Sequence, residues 1–235
     1  MKTLTLELTA PLQSYGNEAA FLRRTTFDHP TKSAVVGMLA AALGYTRSDP
    51  RLIALNQLLL AVRVDQPGVL TTDYQTVEWK ANTRKVTYRD YLQDAVFVAA
   101  VGSEDNELID ALQLALTRPR FQLYLGRRAD PPAGPLRVAV HADADPVTVL
   151  QQLPWQAAPW FRRRHRQGIV AELFADAALV PAGRTRQVKD VLTSAAQVDR
   201  RFTFRGEVTL RVPLRDPIAP GQETAHDALA ALKEE

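Results

Sequence analysis

Cysteine is absent from the 235 residues, which excludes disulfides, thiol nucleophiles and thiolate metal sites at once. The four histidines, His29, His141, His165 and His226, have neither HxxxH nor HxH spacing, so no metal or other cofactor is expected. Catalysis would have to rest on hydroxyls, carboxylates, lysine, arginine or a lone histidine. Long apolar runs are missing too. The longest, Ala34 to Leu43, is about half of the ~20 residues that a bilayer span requires. The opening MKTLTLELTA alternates apolar and polar residues over too short a span for a signal peptide. A soluble cytoplasmic protein without membrane contact is the expectation. Charge of one sign is in small excess, since a formal net charge of +3 does not by itself mark a nucleic-acid binder.

Arginine, by contrast, is plentiful: 23 of the 29 basic residues. Its planar fork suits bidentate phosphate contacts and stacking on bases in a way that lysine does not. A coding sequence rich in G and C would give the same bias.

The chain is long enough for one large domain or two small packed ones. Leu4, Leu6 and Leu8 alternate with Thr3, Thr5, Glu7 and Thr9, the period of a half-buried strand. Thr31 is placed to cap a helix running to Leu43, with Gly44 ending it. Further strands are expected over 58–65 and 94–102, an amphipathic helix over 103–119, and a fourth strand over 120–126. This order predicts an α+β fold with a ferredoxin-like core. Residues 67–91 form a polar insertion carrying Tyr74, Trp79, Tyr88 and Tyr91 among Lys80, Arg84, Lys85 and Arg89. Interleaved aromatics and cations suit unpaired bases beside phosphates, and equally suit an ordinary β-hairpin. Residues 1–130 read as the main domain, 131–215 as a smaller β-rich subdomain, and 216–235 as a flexible tail ending in a short helix.

HPTKSAVVGMLAAALG, 29–44, shares only its Lys-Ser pair with a P-loop. Pro30 and Thr31 stand where that loop needs glycines, which argues against an NTPase. What is left is a helix start with a hydroxyl and a lysine, a generic anion site, or simply a cap followed by a solvated lysine. Gly37 in mid-helix costs about 1 kcal/mol against alanine, so close packing or a ligand needs its missing side chain. RPRFQLYLGRR, 118–128, ends on a glycine and two arginines, and WFRRRHRQG, 160–168, is the densest basic run. Tyr15, His29 and Lys32 are the best local set for metal-independent acid–base chemistry on RNA.

Four stretches occur together in one known family: LTAPLQSYG at 8–16, HPTKSAVVGMLAAALG at 29–44, TYRDYLQDAVFVAAV at 87–101 and RPRFQLYLGRR at 118–128. They closely resemble the CasD family, the type I-E CRISPR Cascade subunits that hold the 5′ handle of the guide RNA. A weaker likeness continues through 186–208. The resemblance implies a non-catalytic crRNA-binding subunit with an RRM-related core and the 67–91 insertion as a β-hairpin thumb against the CasC backbone subunit. It also implies contact with the large subunit CasA, and with target DNA only indirectly, through the complex. Carried over by motif, the RNA-binding residues are Gln13, Ser14 and Tyr15, then Thr31, Lys32 and Ser33, then Tyr88 and Arg89, then Gly126, Arg127 and Arg128. Many family members have Trp where this chain has Tyr15, and the insertion is short. A sister subfamily processes repeat RNA itself, which keeps a metal-independent endoribonuclease as the alternative.

Overall fold

The computed structural model describes residues 1–16, 22–196 and 198–216. The expected C-terminal tail helix lies outside the described residues. In chain order the main elements are β1 (Lys2–Thr9), α1 (Lys32–Leu43), β2 (Leu59–Gln66), β3 (Val69–Lys80), β4 (Thr83–Gln93), β5 (Val96–Ser103) and α2 (Asn106–Thr117). They continue with β6 (Val138–His141), α3 (Pro146–Gln152), α4 (Pro159–Arg164), β7 (Ile169–Asp176), β8 (Thr185–Ala195) and β9 (Arg200–Leu214).

Local chemistry sets the helix ends. The Thr31 side chain accepts the Ala34 N–H, and Gly44 adopts φ 79°, the left-handed turn that lets its N–H reach back to the last carbonyls. Asp105 caps α2 in the same way, whose Ile109, Leu112 and Leu116 form its buried stripe.

Seven antiparallel strands form one sheet in the order β6-β1-β5-β2-β7-β9-β8. Strands from both sides of residue 130 share it. Leu60, Val62, Phe97, Ala99 and Val101 pack under α1 and α2, while the alternating Ala61, Val98 and Ala100 pack under α3 and α4. The two helical layers therefore cover opposite faces.

The expected strand over 120–126 does not form. Its backbone is used elsewhere: the Arg120 and Phe121 N–H groups donate to the Ala42 and Ala41 carbonyls at the end of α1. A helix end leaves such carbonyls unpaired, and this stretch satisfies them. β6 takes the sheet position beside β1 instead.

The 67–91 insertion is a long hairpin of β3 and β4, turning at Asn82 with φ 61°. At its foot, Leu12–Gln13 pairs antiparallel with Leu92–Gln93, and Arg23–Arg24 pairs parallel with Tyr88–Arg89. Among its side chains Val69, Leu70, Tyr74, Trp79 and Tyr88 are exposed.

Candidate nucleic-acid interface

Five of the sequence-predicted contacts lie inside the fold. Gln13 donates to the Ala95 carbonyl at 2.7 Å and accepts the Tyr15 hydroxyl at 2.6 Å. Tyr15 meets Phe97 edge-on in the core, and burial pushes its hydroxyl well above the ordinary tyrosine range. Ser14 donates to the Asp90 carbonyl, and Thr31 is the buried helix cap. The Tyr15 ring therefore belongs to the core and presents no face at the surface.

Lys32 is buried as well. Its ammonium donates to Asp176 at 2.8 Å, and its backbone N–H donates to Asp190 at 2.7 Å. The start of α1 does hold an anion, but it is the protein's own carboxylate. Arg205 joins this buried network, bonding Asp176, Asp190 and Glu207. Arg186 adds a further bond to Glu207. His29 sits beneath Phe174, stacked at 3.7 Å, with Asp28 at 2.6 Å on Nδ1 and Glu207 at 3.6 Å from Nε2. Burial opposes charge on His29, but the two carboxylates outweigh it and raise its pKa. Burial likewise raises Glu207, yet His29 and the arginines outweigh that and bring it down to about 2. The network fixes α1 to β7, β8 and β9. Every one of these groups is oriented by a neighbour.

The hairpin foot is different. The Arg127 guanidinium lies 4.4 Å above the Tyr91 ring and donates to the Arg24 carbonyl at 2.9 Å. Arg24 pairs with Arg89 in the adjoining ladder, so Arg89 and Arg127 are brought together beside Tyr91, whereas Tyr88 projects from the opposite face of β4. The Arg127 Nη1 and Arg89 Nε atoms are buried donors with no partner among the described residues, a costly state that an added acceptor would relieve. Gly126 holds this loop at φ 96°, with its α-carbon so near Ser14 that a Cβ would lie 1.5 Å from the Ser14 carbonyl oxygen. Behind it, burial lifts the Asp130 carboxyl to about 6 although Arg127 pulls the other way.

Beside the foot a trough runs along α1. One depression of about 580 Å³ is walled by Tyr45, Arg47, Phe121, Tyr124, Arg128 and Arg200, with Gly37 in its lining. A second, of about 370 Å³, includes Phe27, Arg186, Lys189, Phe202 and Phe204, and Ser33 lines both. A Cβ at Gly37 would meet nothing within 4 Å. The glycine therefore widens the trough and does not serve packing. Burial, and then the nearby Arg47, lower the Arg200 pKa although Tyr124 opposes them. Aromatic rings beside Arg47, Arg128 and Arg200, which pair with no carboxylate among the described residues, suit bases and phosphates of an unpaired strand over a small-residue floor.

Of the residues expected from sequence, Ser33 and Arg128 line the trough, Arg89 and Arg127 lie at the hairpin foot with Gly126 supporting their loop, and Tyr88 is exposed on the other face of β4. Arg47, Tyr45, Phe121, Tyr124 and Arg200 were missed. Phe121 and Tyr124 stood within the singled-out 118–128 stretch, whereas Arg47 carries no sequence signal at all.

The family described as CRISPR-associated protein Cas5 matches residues 3–206. The CRISPR system Cascade subunit CasD of Escherichia coli (strain K12) is 34% identical over 167 residues, covering 63% of this chain and 75% of that protein. A chain of a solved CRISPR RNA-guided surveillance complex superposes with a TM-score of 0.71 at 32% identity, over 90% of each chain. The crystal structure of a Cas protein does so at 0.67 and 32%, over 91% of this chain and 98% of that one.

Proposed function

The chain belongs to the CRISPR-associated protein Cas5 family, and on that premise we propose that it is a non-catalytic, RNA-binding subunit of a Cascade surveillance complex. In this reading it caps the 5′ handle of the guide RNA in antiviral defence. The observation that carries the reading is the trough along α1, where Arg47, Arg128 and Arg200 converge among Tyr45, Phe121 and Tyr124. Guanidiniums neutralise phosphates, rings stack on splayed bases, and the small floor at Gly37 lets a base approach the helix. The donors of Arg89 and Arg127, buried without partners among the described residues, add guanidiniums at the hairpin foot.

The ferredoxin-like, RRM-related reading of the core is supported by the order β6-β1-β5-β2 within the sheet. With the β3–β4 hairpin set aside, these are the fourth, first, third and second strands of a βαββαβ chain. Residues 1–130 would supply most of the RNA-facing surface and 131–215 a β-rich extension that completes the trough through Arg200. The hairpin, with its exposed aromatic residues, would act as a thumb against CasC. Contact with CasA would link the handle to target DNA indirectly, without a membrane or a cofactor.

The alternative, a metal-independent endoribonuclease, needs Tyr15, His29 and Lys32 to face RNA. Their exposures are 2%, 2% and 6%, and each polar group is engaged inside the fold.

The reading is tested by photocrosslinking the protein to guide RNA and mapping the adducts. Crosslinks joining nucleotides of the constant 5′ end to Phe121 or Tyr124 are expected. Crosslinks confined to the variable guide portion would overturn handle capping.

A further inference from the structure

The basic run at 160–168 has no part in the proposed function, and the fold puts it on the far side of the sheet from the α1 trough. α4 buries Phe161 in the apolar layer with Trp155, Leu150 and Leu173, whereas α1 packs on the opposite layer. The helix is anchored by two further contacts: Phe161 stacks on His165 at 4.1 Å, and Arg162 bonds Asp216 at 2.7 Å. With those residues committed inward, Trp160, Arg163, Arg164 and Arg166 are left exposed. Gly168, at φ 83°, turns the chain so closely past β9 that a Cβ there would lie 2.5 Å from Arg215 Cγ. The exposed Arg215 therefore joins the same patch.

Among the described residues, the only carboxylate paired to this segment is Asp216, and it takes Arg162. A helix C-terminus attracts a cation, but one suffices. Four further guanidiniums in one patch repel each other and call for a polyanion. The planar forks fit phosphodiesters bidentately, and a half-exposed indole beside them offers a stacking face for an unpaired base. An acidic protein segment would use the arginines but not the ring.

We propose that Trp160, Arg163, Arg164, Arg166 and Arg215 form a second nucleic-acid surface, for a single strand other than the one held in the trough. It grips backbone phosphates and stacks on bases without reading their sequence.

The test uses the full chain carrying Arg128→Ala and Arg200→Ala, which disables the trough, titrated with fluorescent oligothymidine across a salt series. Residual binding is expected. Adding Arg163→Ala, Arg164→Ala and Arg166→Ala should weaken it at least tenfold and flatten the log–log salt slope by about 2, since each phosphate contributes roughly 0.7. Trp160→Ala should weaken it about tenfold with the slope unchanged. The arginine side chains are exposed and Trp160 meets the core only through an edge contact with Phe161, so the far-ultraviolet circular dichroism spectrum should not move. Absence of residual binding, equal affinity and slope in the arginine variants, or displacement by polyglutamate at matched charge would overturn the proposal. Because the trough is already disabled, such a failure leaves the guide-RNA reading standing. Failure of that reading would appear in retention of guide RNA and not in this titration.

Discussion

The Lys32 ammonium lies 2.8 Å from the Asp176 carboxylate, and both side chains are buried. The lysine that begins α1 is thus a fold-holding residue. Lys32→Ala is expected to cost about 3 kcal/mol, the low end for breaking a buried pair, because Asp176 keeps Arg205 and the Leu60 N–H. Thermal melts check the loss. Guide-RNA binding per folded molecule should stay near wild type, and a binding defect in well-folded protein would restore Lys32 to the RNA surface.

Gly37 separates stability from binding. With nothing within 4 Å of a built Cβ, Gly37→Ala should stabilise the protein by up to about 1 kcal/mol through helix propensity alone. Gly37→Leu should keep the fold and fill the trough. Filter binding should then register at least a tenfold loss for leucine and little change for alanine.

Gly126 behaves oppositely. Its left-handed φ and its contact with the Ser14 backbone leave no room for a side chain. Gly126→Ala should cost on the order of 3 kcal/mol and displace Arg127 from Tyr91. Denaturant unfolding measures the first effect, and tyrosine fluorescence quenching follows the second.

His29 makes stability depend on pH. Its folded pKa lies above the ordinary value, so its contribution is complete below the unfolded pKa of about 6.5 and is lost as pH rises through the folded pKa. Glu207, brought down to about 2, contributes fully above its unfolded pKa and loses that contribution as pH falls toward 2. The pair should therefore stabilise most near pH 5 to 6. His29→Gln should lower the melting temperature most in that window, with the gap narrowing as pH rises. A gap that widens with pH would mean that His29 is buried neutral.

Those parts of the fold that rest on local chemistry were legible in the sequence. The limits of α1 follow from Thr31 and Gly44, α2 from its amphipathic stripe, and β1 from its alternating leucines. Leu123 and Leu125 alternate with polar or half-exposed neighbours in the same way and are buried, yet their segment is not a strand, because its start answers the carbonyls at the end of α1. Periodicity reports which side chains are buried and not what their backbone bonds to. The site divided along the same line. Arg127 and Arg128 follow a glycine that marks a tight approach and could be singled out. The partner that removes Lys32 from the surface lies 144 residues away, the strand that carries Arg200 is likewise remote from α1 in the chain, and neither leaves a local trace.

The most direct measurement is to recover the tagged protein from its native host, sequence the ends of the RNA bound to it, and repeat this with Arg128→Ala and Arg200→Ala combined. Guide RNAs sharing one constant 5′ end, held by the wild-type protein and lost from the folded variant, are the predicted result. Guide RNA retained equally by both, or no enriched RNA on intact wild-type protein while the locus is expressed, would contradict the account.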